Sequence, residues 1–420
     1  MSEGALLIPN LGAEEGAGWD TPAFDEREPL EPNPQNPRET VQRTATQLWC
    51  ALFAANSRCL GELVSAPDRF WPPEFGPRSP AAIFDWLDEP DAAIAWLNTP
   101  AAEQFARRED RRLLGAPPDV VRAVHDKAFT HRVAVEEELL PAGLDELIAV
   151  LEPEVLRDSD GAVAAIEERL ARWPDWTGGR FTLKPRFGTS GRGRVAGAAG
   201  RVAEGRGGFA RLAESGGALL EPWLVRTRDL SAQLWVDSDG QIVLLGTTEL
   251  LVEGSGLYRG HRGLVDSRGR VTSGNRYDEA LREAAVSVAR RAAAAGYRGP
   301  CGVDAFAFEL ESGRAELRPA VEFNARFTLG VVAIGLLRRA LVGLGPERSP
   351  SPGELRAFQF QLDAPSGGWP NLTDAKDVLS ISLGDPEGHA NPALWIADDR
   401  VVLDRHLAHA RVSHPACRMH

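Results

Sequence analysis

Lysine is almost missing from this sequence. It stands at only three positions, Lys127, Lys184 and Lys376, while arginine carries the rest of the basic charge. A compact ammonium kept where arginine is the usual choice marks each lysine for attention. Cysteine is scarce as well. Cys50, Cys59, Cys301 and Cys417 form no C-x-x-C pair, which argues against a disulfide scaffold and fits buried thiols in a reduced, cytoplasmic protein. No apolar run approaches the length of a membrane span, and no basic region precedes the short apolar stretch at the N-terminus. A membrane partner is therefore not expected. Acidic residues outnumber basic ones by 60 to 47, a formal charge of −13, which counts against any general affinity for nucleic acid.

The 420 residues are 43% hydrophobic, enough for two or three domains, each with a core. Alternating strand and helix signals predict an α/β chain. Residues 5–8 read as a buried strand running into a glycine-containing loop, and Thr40 to Leu63 as a helix. Residues 20–38 and 65–80 read as surface and packed loops, and Ile83 to Leu87 as a strand. Thr99 followed by Pro100 is a helix start. These features predict an N-terminal Rossmann-like domain over 1–117. A larger core follows over 118–347, and a small β-rich extension over 348–420, whose histidine-bearing tail (His406, His409, His414, His420) matches no zinc spacing.

The stretch from Cys301 to Arg326 carries the chemistry. Two apolar arms separated by Glu-Ser-Gly predict a β-hairpin. Along the second arm Glu322, Asn324 and Arg326 share one face, and the hairpin brings Asp304 beside them. Two carboxylates and an amide oxygen suit a hard cation such as Mg²⁺, with Mn²⁺ as an alternative. Arg326 adds a fixed positive charge for an anionic group. Taken alone, these residues fit a solvated strand face equally well.

A second signal precedes it. A short strand delivers Lys184 to a loop bearing Gly188, Ser190, Gly191 and Gly193. Glycines let backbone N–H groups close on phosphate oxygens, and the lysine neutralises their charge. The order matches neither a Walker A loop nor a dinucleotide fingerprint, because the lysine comes first and a strand, not a helix, follows. The alternative is a flexible glycine-rich surface hairpin.

In chain order, Asp126-Lys127, Lys184-Pro-Arg-Phe-Gly-Thr-Ser-Gly-Arg-Gly, Glu221-Pro-Trp-Leu224, Gly302-Val-Asp304 and Glu322-Phe-Asn324-Ala-Arg326 resemble the ATP-grasp superfamily over residues 118–345. The resemblance implies a two-subdomain ATP-binding core with a lid-like part at about 180–222. It implies that Lys127 and Lys184 contact ATP phosphates under the glycine loop. Glu221 would accept from the adenine amino group, the backbone near Leu224 would bind the ring, and Asp229 the ribose. Asp304, Glu322 and Asn324 would hold one or two Mg²⁺ ions, and Arg326 would face the transferred phosphoryl group or the acyl phosphate. It further implies a ligase joining a small-molecule carboxylate to an amine through an acyl phosphate. A small-molecule kinase or a non-catalytic nucleotide sensor on the same fold are the alternatives. Arg259, His261 and Arg262, in a glycine-rich stretch over 254–263, are candidates for clamping a substrate carboxylate. Whether the chain works as a monomer or a homodimer is left open.

Overall fold

A computed structural model of the chain describes residues 5–11, 13, 19, 37–53, 58–59, 91–188, 192–252, 258–310, 313–343, 350–362, 377–383 and 392–413. The readings over 20–36, 65–80 and 83–87, and those of His414, Cys417 and His420, lie outside the described residues. No helix among the described residues is long and apolar enough to cross a membrane.

The N-terminal part contains β1 (Leu6–Ile8), α1 (Pro37–Cys50), β2 (Arg58–Cys59), β3 (Ala92–Ala95), α2 (Pro100–Arg108) and β4 (Arg112–Leu113). Its four strands run parallel in the order β2-β1-β3-β4. β1 and β3 are buried along their whole length, which is why they read as unbroken apolar runs. Thr99 caps α2 by accepting from Ala102 N at 3.2 Å, with Pro100 in the first turn. The helix expected over 40–63 ends at Cys50, and Arg58–Cys59 instead pair with β1. Leu52 and Phe53 are fully buried in the turn that follows α1. Their apolar spacing reports burial, which a turn satisfies as well as a helix does.

Two helices, α3 (Pro118–His125) and α4 (Lys127–Glu136), lead to a small antiparallel sheet. This segment contains β5 (Ala149–Leu151), α5 (Pro153–Arg157), α6 (Ser159–Leu170), β6 (Arg180–Pro185), β7 (Val195–Ala198), α7 (Phe209–Glu214) and β8 (Ala218–Pro222), of which the four strands form the sheet. Its strand order is β5-β8-β6-β7, over a separate core of Leu151, Ile166, Phe181, Leu183, Phe209 and Leu220. This unit therefore begins near residue 149, upstream of the lid expected at about 180.

The remaining chain builds one sheet of nine strands. These are β9 (Arg226–Val236), β10 (Ile242–Val252), β11 (Tyr258–Asp266), β12 (Val271–Thr272), β13 (Gly299–Glu309), β14 (Ala315–Asn324), β15 (Leu355–Gln361), β16 (Val378–Ser382) and β17 (Ala393–Ala397). The order is β14-β13-β9-β10-β12-β11-β15-β17-β16. Three helices accompany them: α8 (Asp278–Ala294), α9 (Leu329–Gly343) and α10 (Arg400–Ser413). The C-terminal strands do not form a separate extension. β15 pairs with β11 along its whole length, so a boundary at 347 divides a continuous sheet. His406 and His409 lie on α10 and not in a tail. The N-terminal sheet is also not independent of the large one. The rings of Trp49, Trp96 and Phe327 interlock, with Trp49 5.4 Å from Phe327 and 5.9 Å from Trp96, and Phe327 N donates to Trp96 O at 3.0 Å.

The stretch expected as a glycine-rich loop over 254–263 becomes strand from Tyr258 onward. Its glycines serve close packing and not flexibility. A Cβ at Gly260 would collide with the carbonyl oxygen of Phe360, and one at Gly263 would lie 2.6 Å from Thr272 O. Gly260→Ala should therefore lower stability by about 1–3 kcal/mol in urea denaturation. Gly207→Ala, with nothing within 4 Å of the added carbon, should change it by less than about 0.5 kcal/mol.

Candidate functional site

A cleft of about 320 Å³ opens between the small sheet, the large sheet and the N-terminal part. Strand alternation builds its main wall. Asp229, Ser231 and Gln233 project into it from β9, with Asp304 from β13 and Glu322 and Asn324 from β14. The hairpin β13–β14 sets Asp304 opposite Glu322 and Gly302 opposite Asn324. The opposite wall carries Lys184 at the end of β6 and Gly188 beyond it. Lys127 enters as the first residue of α4, which Asp126 caps by accepting from Ala128 N at 2.8 Å.

These groups touch one another across the cleft. Lys127 Nζ lies 3.2 Å from Glu322 Oε1 and donates to Gly188 O at 2.9 Å. It therefore ties the phosphate-type loop to the acidic hairpin. Asp304 accepts from Ser231 Oγ at 2.8 Å and from Asn324 Nδ2 at 3.0 Å. Arg326 donates to Asn324 Oδ1 at 3.2 Å and to Phe327 O at 2.9 Å. Burial, and then the charge of Glu322, push the Asp304 carboxyl up to about 6. Two carboxylates held side by side in a buried wall repel each other, and a cation between them would remove that repulsion. The donor set of Asp304, Glu322 and the Asn324 amide thus fits a hard divalent ion.

Glu221 is not in the cleft wall. It is 3% exposed, and its carboxylate is held by Lys184 on one oxygen and by Arg318 Nη1, at 2.8 Å, on the other. With both oxygens taken by cations, it orients Lys184 and is not turned toward a ligand. Burial works to raise the Glu221 pKa, but the charges of Arg318 and Lys184 overcome it and hold it at about 2. Burial lowers Lys184 to about 8, against the pull of Glu221.

Of the residues singled out in the sequence, Lys127, Lys184, Gly188, Asp229, His261, Asp304, Glu322, Asn324 and Arg326 line this one cleft. Gly193 lies close by in the left-handed region at φ 71°, while Ser190 and Gly191 are outside the described residues. Leu224 sits in the short link between β8 and β9, and its side chain packs on the cluster of Leu144, Leu147, Ile148 and Leu219. Asp229 is already paired, accepting from Arg226 Nη1 at 2.8 Å.

The expected carboxylate clamp does not assemble. Arg262 points to the other face of the sheet, donating to Glu249 at 2.6 Å, and Arg259 does not line the cleft. His261 does line it. Burial lowers its pKa to about 3, so the ring is neutral, and its Nδ1 meets Thr248 Oγ1 at 2.8 Å. The sequence reading missed Arg192, Arg194, Tyr258 and Thr328 in the lining, and Arg318 behind it. It also missed Ser231 and Gln233, which the period of two from Asp229 along the same strand could have supplied.

No protein-family profile matches the sequence, and no curated protein matches it. Solved structures do match in three dimensions. Biotin carboxylase from Campylobacter jejuni, determined as a β-γ-ATP complex, superposes with a TM-score of 0.53 at 13% identity, over 97% of this chain and 90% of that one. Pyruvate carboxylase from Rhizobium etli, determined with the allosteric activator acetyl coenzyme-A, superposes with a TM-score of 0.52 at 13% identity, over 98% of this chain and 37% of that one. At such identities the likeness defines the architecture. The chain has the ATP-grasp fold.

The buried Glu221 triad generates a test. Its folded pKa of about 2 lies below the ordinary value of about 4.3. The stability it contributes is therefore present above about pH 4.3 and is lost as the pH falls toward 2. Urea midpoints measured between pH 5 and 2.5 should fall less steeply in Glu221→Gln than in the wild type. Arg318→Met, which strips one partner from a buried carboxylate, should destabilise the protein at pH 7 by about 3–5 kcal/mol.

Proposed function

We propose that this protein is an ATP- and Mg²⁺-dependent ligase that joins a small-molecule carboxylate to an amine and releases ADP and phosphate. The observation that carries the reading is the meeting of Lys127 and Lys184 with Asp304 and Glu322 around one cleft, in a chain of ATP-grasp fold. Polyphosphate binding needs cations on one side, and a metal bridge needs carboxylates on the other.

In this reading Asp304, Glu322 and Asn324 hold the metal, with Mn²⁺ able to substitute. The metal supplies neutralisation of phosphate charge. Lys127 and Lys184 bind phosphate oxygens beside Gly188. The link around Leu224 receives the base and Asp229 the ribose. Arg326, its guanidinium braced by Asn324 and the Phe327 carbonyl, faces the substrate carboxylate. A carboxylate oxygen attacks the γ-phosphorus, the bond to the bridging oxygen breaks, and ADP leaves. The amine nitrogen then attacks the acyl carbon of the acyl phosphate, the carbon–oxygen bond breaks, phosphate departs, and the nitrogen gives a proton to solvent. Positioning and fixed charge supply the acceleration, with no covalent enzyme intermediate.

The neutral His261 and its ring neighbour Tyr258, 5.2 Å away, replace the expected arginine clamp. Around His261 the lining is thus polar and uncharged, and Arg326, 6.0 Å from the Trp96 ring, remains the cation that meets the carboxylate. Apolar Trp96, Leu250, Val252 and Leu329 also line the cleft.

The test is a screen of carboxylates and amines for Mg²⁺-dependent release of ADP and free phosphate. Glu322→Gln and Lys184→Ala should each lower kcat/KM by about 100-fold or more, the range seen when a group stabilising transition-state charge is removed, with circular dichroism unchanged. Full activity in Glu322→Gln would defeat the assignment. ADP release with a stable phosphorylated product and no free phosphate would make the protein a kinase instead. ATP binding without turnover across the screen would make it a sensor.

A further inference from the structure

A second cavity, of about 540 Å³, lies on the opposite face of the large sheet from the cleft. Arg228, Asn275, Arg276, Glu309 and Arg400 are among its lining residues. They come from β9, the approach to α8, the end of β13 and the start of α10. Beside them Glu249, 6% exposed, accepts from three guanidinium groups: Arg228 at 3.1 Å, Arg262 at 2.6 Å and Arg400 at 2.9 Å.

One carboxylate cannot neutralise three guanidinium groups. Counting Arg276 and Glu309, the region holds four cations and two anions, in a protein whose overall formal charge is −13. Such a local inversion of sign concentrates anions from solution. Glu249 also holds the Arg228 and Arg400 side chains in place while engaging only part of each five-donor fork. Their remaining N–H groups have no further protein partner among the described residues. Asn275 adds a neutral donor. Its Oδ1 accepts from Tyr277 N at 2.8 Å, which fixes the orientation of the amide. Its Nδ2 is buried with no hydrogen-bond partner among the described residues.

We infer that this pocket is a second ligand site, separate from the cleft, that binds a small oligoanion carrying two or more phosphate or carboxylate groups. Arg228 and Arg400 meet the anionic groups from a fixed base at Glu249, Arg276 closes over them, and the Asn275 amide donates from the side. Arg228 and Arg400, both anchored on Glu249, give each of two anionic groups its own guanidinium partner.

Isothermal titration of the full-length chain with pyrophosphate, and separately with citrate, tests the inference. Lys127→Ala/Lys184→Ala weakens the cleft as an anion site, so a binding event that survives in it and yet responds to Arg276→Gln belongs to this pocket. That surviving event should weaken at least tenfold in Arg276→Gln and disappear in Arg228→Gln/Arg400→Gln. The better ligand of the two assigns the site to phosphate or to carboxylate groups. Arg276 has no part in the buried Glu249 cluster, so its variant decides the matter even if the double arginine variant fails to fold. Absence of binding to the wild type, loss of all binding in the double lysine variant, or unchanged binding in Arg276→Gln would overturn the proposal.

Discussion

A buried carboxylate shared between two sheets sets the geometry of the site. Glu221 belongs to β8 of the small sheet, as Lys184 belongs to its neighbour β6, whereas Arg318 comes from β14 of the large sheet. A fully desolvated carboxylate is tolerated only with its partners in place. Any displacement of the small sheet that separated Glu221 from Arg318 would strand a buried charge, so electrostatics hold the two sheets in register. The triad has a net charge of +1, and Lys184 is the member that reaches the cleft. The arrangement thus presents a cation whose direction is fixed from behind.

The large sheet answers with the opposite sign, and here too hydrogen bonds decide where the charge points. Val331 N donates to Thr328 Oγ1 at 3.1 Å, and Thr328 donates in turn to Gln233 Oε1. Gln233 Nε2 donates to Ser231 Oγ at 2.7 Å, and Ser231 to Asp304 at 2.8 Å. Every link runs in the same sense, so the chain ends in a donor aimed at Asp304. Asn324 Nδ2 donates to the other oxygen. These donors favour the ionised carboxylate that burial and Glu322 disfavour. Lys127 completes the balance from outside the sheet, since its ammonium reaches both Glu322 and the Gly188 carbonyl.

Much of this was legible in the sequence, for identifiable reasons. The period-two spacing of Glu322, Asn324 and Arg326 and the turn between the arms fix a hairpin. A hairpin of that length puts Asp304 opposite Glu322. The rarity of lysine made Lys127 and Lys184 conspicuous. What could not be read were contacts between elements far apart in the chain. Arg318 is one arginine among many until β14 is laid against β8, and without it Glu221 looks available to a ligand. The glycines at 260 and 263 suggested a loop because sequence does not distinguish glycine kept for backbone freedom from glycine kept for close approach. Only the carbonyls of Phe360 and Thr272 show which applies.

The misplaced arginine follows from the same alternation that revealed the site. Once residues 258–266 form a strand, His261 and Arg262 must face opposite sides of the sheet. Leu250 pairs with His261 on the cleft side, and Glu249 pairs with Arg262 on the other. β9 repeats the division, with Asp229 toward the cleft and Arg228 toward Glu249. Each of three adjacent strands therefore sends one residue to the cleft and its immediate neighbour to the face that carries the Glu249 cluster. The sheet separates two electrostatic environments by a single layer of backbone.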